Sequence, residues 1–177
     1  MIITDKYLKQ YSPLPLNFNL DEVRNYVSVA EKLWVIGVIG EDLYDEINEQ
    51  VETNTLTPEN GTALVEAIYP YLAYATVYEA LPMLWARITE VGVVKGHSDN
   101  SDSLELKDMT YVSNHLRAQV EVLKDYCKKW LCEHQESFPL LNCCLCGCSC
   151  CNDNAKLTAP NKYQQLYKPY QKNIDLK

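Results

Sequence analysis

No stretch of the chain reaches the roughly 18 to 20 consecutive apolar residues that a bilayer-spanning helix needs. The greasiest runs, LWVIGVIG and VYEALPMLW, are short and bordered or interrupted by charge. The chain reads as soluble, with no membrane partner. Its opening, MIITDKYLKQYSPLP, has no apolar stretch followed by a small-residue cleavage site, so no secretory signal is read and synthesis in the cytoplasm of the producing cell is expected. Histidine is scarce, with three copies at positions 97, 115 and 134. The patterns G-x-S-x-G and H-E-x-x-H are missing, and so is a glycine-rich loop that would cradle phosphate. The materials for nucleophilic, metal-hydrolytic or phosphoryl chemistry are therefore thin, and a non-enzymatic role is expected. His115, beside Asn114, is read as a surface histidine.

What is present is a folding composition. Of 177 residues, 47% are hydrophobic and 23% charged, which fits one domain able to bury a core. The net charge of −8 is unevenly spread: residues 1–60 hold 4 basic and 11 acidic groups, whereas residues 154–177 hold 5 basic and 1 acidic. An acidic body repels nucleic-acid phosphates, so DNA gripping by the main domain is disfavoured. The basic tail is suited to an acidic neighbour, including another copy.

Apolar periodicity points to helices throughout. After Asn19, residues Val23, Tyr26, Val27, Ala30, Leu33 and Trp34 recur at steps of three and four, with acids in the first turn, and Gly37 and Gly40 are expected to end that helix. GEDLYDEINEQV follows as a second helix with Leu43, Ile47 and Val51 on one face; its carboxylates lack the loop spacing of an EF-hand and read as a solvated surface. Thr57 and Pro58 make a helix-start signal. From Leu64 to Ile88 an apolar segment is expected in two or three kinked pieces because of Pro70 and Pro82, and it is the candidate central helix. Residues 92–103 read as an exposed loop. Asp102 and Glu105 have capping-box spacing, and Leu106, Met109, Val112, Leu116, Val120, Leu123, Cys127 and Trp130 then mark a long last helix, about 40 Å at 1.5 Å per residue. That length predicts a helix projecting beyond the core or walling a stack. The fold class expected is all-α, a bundle of four to five helices over residues 1–134, with an extended arm over 135–177.

The arm holds two features. Cys143 and Cys146 form one C-x-x-C and Cys148 and Cys151 a second, with Cys144 and Cys150 inside them. Such pairs can aim thiolates at one Zn²⁺, yet only Gly147 separates them, whereas zinc ribbons leave a dozen or more residues. Three states stay open: a structural zinc on four of the six thiols, helped by Cys132 or His134; disulfides; and free thiols. A small zinc-binding accessory or regulatory protein is the alternative function this cluster carries. Further on, Tyr163, Tyr167 and Tyr170 alternate with Lys162, Lys168 and Lys172, and Tyr supplies contact area with a polar tip at low entropy cost. These tyrosines, with Lys162 and Lys168, are candidate partner contacts; a solvating tail is the plain alternative.

In their order, IITDKYLKQYSPLPLN, AEKLWVIGVIGEDLYDEI, PYLAYATVYEALPMLWARITEVGVVK and LKDMTYVSNHLRAQVEVLKDYCKKWL resemble head-to-tail connector proteins of tailed bacteriophages, especially the ring proteins of crAss-like phages, over residues 2–131. The resemblance implies a helical subunit of the virion neck, in a cyclic ring commonly of twelve copies, binding the portal protein and other neck or tail ring proteins. DNA would pass through the lumen without specific binding, and no cofactor is implied. It would place Tyr163, Tyr167 and Tyr170 against the portal. The cysteine cluster departs from that pattern.

Overall fold

The computed structural model describes residues 1–89, 92–95 and 106–141. Five helices make up most of these residues. They are α1 (Asp5–Tyr11), α2 (21–39), α3 (Glu41–Thr53), α4 (58–85) and α5 (Leu106–Glu133). A short antiparallel hairpin, β1 (Ala86–Thr89) with β2 (Gly92–Lys95), joins α4 to the segment before α5, with Ala86 opposite Lys95 and Thr89 opposite Gly92.

Both long inner helices contain a π turn. α2 consists of Asp21–Ala30, the wide turn Glu31–Val35, and Ile36–Ile39; the Ile36 amide reaches back five residues to the Glu31 carbonyl. Gly37 therefore does not interrupt it, and the helix stops at Gly40, whose φ of +88° an L side chain rarely adopts. α4 likewise joins Pro58–Ala63, the wide turn Leu64–Ile68, and Tyr69–Trp85. The Tyr69 amide bonds the Leu64 carbonyl five residues back, immediately before Pro70, which has no amide to give. The break expected at Pro70 is thus absorbed as one widened turn. Pro82 lies in the last turn; it has no amide to offer the Tyr78 carbonyl, yet its own carbonyl accepts from the Ala86 amide that closes the helix. The helix ends at Trp85, and Ile88 belongs to β1, which corrects the expectation of helix to residue 88; residues 92–95 are strand where loop was expected.

The caps follow local chemistry. Asn19 Oδ1 accepts from the Asp21 amide at 3.2 Å, and Thr57 Oγ1 from the Asn60 amide at 3.3 Å with Pro58 just behind it. Asn54 ends α3 in the left-handed region at φ 54°, which its short polar side chain tolerates.

α4 is the spine, buried nearly all round: Leu64, Ala67, Ile68, Tyr71, Leu72, Ala75, Thr76 and Ala80 are all shielded from solvent. α1 and the first part of α2 pack on it, as does α5, while α2 meets α5 chiefly through Ile36–Ile39. The N-terminal residues Ile2 and Ile3 are buried against this core, and the Met1 amine donates to Asn48 Oδ1 at 2.7 Å. At the far end, Trp130 stacks on His134, with centroids 4.1 Å apart, and faces Phe138 at 6.1 Å. Phe138 and Leu141 are buried in the same core, so the packed body continues past His134 to Leu141.

Candidate interaction surfaces

The cysteines Cys143, Cys146, Cys148 and Cys151, the tyrosines Tyr163, Tyr167 and Tyr170, and Lys162 and Lys168 all lie outside the described residues. So do His97 and the Asp102 and Glu105 capping pair. Among the described residues no group of three or more His, Cys, Asp or Glu is arranged to hold a metal ion, and no helix is long and apolar enough to cross a membrane.

Two of the remaining chemical groups are tied into structure. Cys127 is a free thiol sealed in the core between α5 and α4, and burial pushes its pKa up to about 12, so it is neither a thiolate nor reachable. His134 has Nδ1 2.8 Å from the Trp130 carbonyl and its ring on the Trp130 face. His115 is exposed on α5, as a surface histidine should be.

Sequence reasoning missed Glu31, which the apolar stripe of α2 leaves out. It follows buried Val27 by one regular turn, its amide on the Val27 carbonyl, and is 3% exposed, where Oε1 accepts from the Ile2 amide at 2.7 Å and Oε2 from the Tyr44 hydroxyl at 3.0 Å. Burial, with the Glu31 carboxylate second, holds the Tyr44 hydroxyl pKa well above its ordinary value. A buried acid with two donors is a clasp between the N-terminal segment, α2 and α3. A second seam joins α3 to α4: Asn60 Nδ2 donates to Glu46 Oε1 at 3.0 Å and Gln50 Oε1 at 2.9 Å, so Glu46 is taken up inside the fold.

Two surfaces remain. On α3, Glu41, Asp42, Asp45, Glu49 and Glu52 are exposed, and Asp21 and Glu22 are exposed at the start of α2. Residues 21–53 carry 9 acidic and 2 basic groups, whereas α5 carries 4 acidic and 5 basic. The second surface is the outer face of α5. Its core face consists of Leu116, Val120, Cys127 and Leu131; Val112 and Met109, expected in the core, lie where α5 has no buried residue from Asp108 to His115. On the opposite side, Tyr111 is 75% exposed, Val122 64% and Tyr126 48%, with His115 and Ala118 exposed between them. At 3.6 residues per turn these five fall within a sector of about 80°. The periodicity that found the inner stripe hid this outer one, because Tyr and Val at wide intervals among polar residues do not stand out.

No curated protein and no solved structure matches the chain. A family model does match, over residues 35–151, which is more than half the chain and takes in the end of α2 from Val35, all of α3, α4 and α5, and the cysteine cluster; the protein belongs to the family of unknown function DUF6712.

Proposed function

We propose that the protein is a head-to-tail connector subunit: a structural component of a tailed-phage neck that closes into a cyclic homo-oligomer between the portal protein and tail ring proteins, and continues the DNA channel. The observation that carries this reading is the exposed acidic ridge of α3, set on the same chain as the basic segment 154–177. A ring closed by head-to-tail contacts needs two different, mutually complementary patches on every subunit. An acidic ridge on one copy and a Lys/Tyr arm from the next meet that requirement, and charge attraction favours this pairing over ridge against ridge. The surplus of acid also suits a lumen through which DNA slides without adhering. In this reading the protein is not an enzyme and requires no cofactor. Tyr163, Tyr167, Tyr170, Lys162 and Lys168 contact a sister subunit or the portal, and the ring has twelve copies, the number that the connector resemblance implies.

Electron microscopy and mass measurement of the purified chain, alone and with its portal protein, test the proposal. Closed rings that join the portal are expected. A chain that stays off the portal, or is absent from purified virions, ends it. Elemental analysis of the same sample decides the alternative zinc-binding role for Cys143, Cys146, Cys148 and Cys151: stoichiometric zinc whose removal unfolds or disables the arm would favour that role.

A further inference from the structure

The exposed stripe of α5 is self-complementary when turned end for end. Tyr111 and Tyr126 are equidistant from a point between Ala118 and Gln119, and so are His115 and Val122. Asp108 and Lys129, both exposed, are equidistant from that point too, roughly 30 Å apart along the axis at 1.5 Å per residue, and both fall in the same sector as the stripe. We propose that two copies of this chain pair through α5 as an antiparallel, two-fold contact. Tyr111 of each copy packs on Tyr126 of the other, His115 lies against Val122, and Asp108 of each copy faces Lys129 of the other.

Three observations select a second copy as the occupant. The order acid, tyrosine, small residue, tyrosine, base reads as its own complement only in the antiparallel sense, which is the mark of a two-fold interface. The crossing point is Ala118, whose small side chain lets two helix axes approach to the usual 8–10 Å. The charge also agrees: α5 is nearly balanced, with 5 basic and 4 acidic groups, so two of these faces meet without the repulsion that would separate two α3 ridges. Lys129 has a loose partner on its own helix, Glu133 at 3.8 Å; such an exposed pair is worth little and leaves Lys129 available to a neighbour. One helix face against another falls at the small end of specific interfaces, so the pair forms in the micromolar range or more weakly. The contact uses a surface separate from the acidic ridge and the arm, and it stands apart from the connector reading.

Charge exchange in the full-length chain tests the arrangement. Asp108→Lys places lysine against lysine twice in a like pair, and Lys129→Asp places acid against acid twice. Each single variant is expected to dissociate at least tenfold more readily than the parent in sedimentation experiments at low salt. A mixture of the two single variants, and the double variant Asp108→Lys/Lys129→Asp alone, are expected to regain the parental association, because unlike charges again face each other. A photo-crosslinking residue at position 111 should join to the peptide around Tyr126 of another copy. Association through the arm or ridge responds to neither exchange nor mixing, so failure of the connector reading and failure of this pairing are distinguishable. Single exchanges with no effect, mixtures that do not recover, crosslinks mapping elsewhere, or a parent chain that is monomeric at every concentration would each overturn the proposal.

Discussion

The Tyr71 hydroxyl, buried in the middle of α4, donates at 3.1 Å to the Trp34 backbone carbonyl in the wide turn of α2. A π turn leaves carbonyls without their usual amide partner, and this bond supplies a donor across the helix–helix seam. Trp34 is held at its other end as well: Nε1 donates to Glu79 Oε1 at 2.8 Å, and its ring meets Tyr78 edge-on at 5.7 Å. The irregular turn of α2 is thus locked onto the spine by three side chains of α4.

Replacing Tyr71 by Phe keeps the ring and strands the carbonyl. The expected cost is about 1–2 kcal/mol, with unchanged helical circular dichroism. Thermal unfolding should show a drop of roughly 2–8 °C for a chain of this size. An unchanged midpoint would mean that the Trp34 carbonyl finds another donor.

Glu31 supports a larger effect. Glu31→Ala leaves the Ile2 amide and the Tyr44 hydroxyl without their acceptor in a buried place, for a loss of about 2–4 kcal/mol in urea unfolding. Glu31→Gln keeps one acceptor for Ile2, and the Tyr44 hydroxyl can turn to accept, so roughly 1 kcal/mol is expected. Hydrogen exchange separates local from global effects: the Ile2 and Ile3 amides should lose protection in the Ala variant before α4 does.

The alkaline limit of stability should begin with a thiol. Cys127 ionises near 9 when unfolded and is pushed up to about 12 by burial, and Tyr69 is raised from 10 to about 12 by burial beside Tyr7 and Tyr11. Both folded values lie above the unfolded ones, so the folded state holds these protons more tightly. Their contribution is therefore intact below pH 9 and declines as pH climbs toward 12, with a slope of up to about 1.4 kcal/mol per pH unit for each group. In Cys127→Ala the decline should start about one unit higher, near the unfolded pKa of the tyrosines. The same burial makes native Cys127 inert to thiol reagents at pH 8 until the chain unfolds, which peptide mapping by mass spectrometry can read.

The regular parts of this fold were legible because they obey a period: the inner faces of α2 and α3, the Thr57–Pro58 start, the buried spine and the length of α5. What escaped notice depends on exceptions to it. Glu31 is a charged residue on the inner side, one regular turn after Val27, made tolerable there by the Ile2 amide and the Tyr44 hydroxyl, and the Pro70 defect vanished into a π turn that no residue spacing announces. The strand pair Ala86–Thr89 and Gly92–Lys95 was hidden because ARIT and GVVK are each only four residues long, too short for an alternating pattern to be told from a helix end or a loop. On α5 the core stripe was found nearly whole, but the stretch from Asp108 to His115, Met109 and Val112 included, holds no buried residue.

The end of the packed body provides the last test. After α5 the chain makes one tight turn, Gln135–Ser137, and returns Phe138 and Leu141 to the core, with Phe138 against the Trp130 ring. A chain stopped after His134 loses both anchors and uncovers the side of Trp130 that Phe138 faces. Removing two buried apolar side chains of this size should cost about 3–5 kcal/mol. A chain stopped after Leu141 keeps both, so under reducing conditions, which open the disulfide of Cys132 in either chain, its thermal midpoint and circular dichroism should match the parent, while it lacks the Lys/Tyr segment assigned to assembly. Equal stability of the two truncations would show that Phe138 and Leu141 are passengers. Retention of rings and portal binding by the chain ending at Leu141 would remove the arm from the assembly contact.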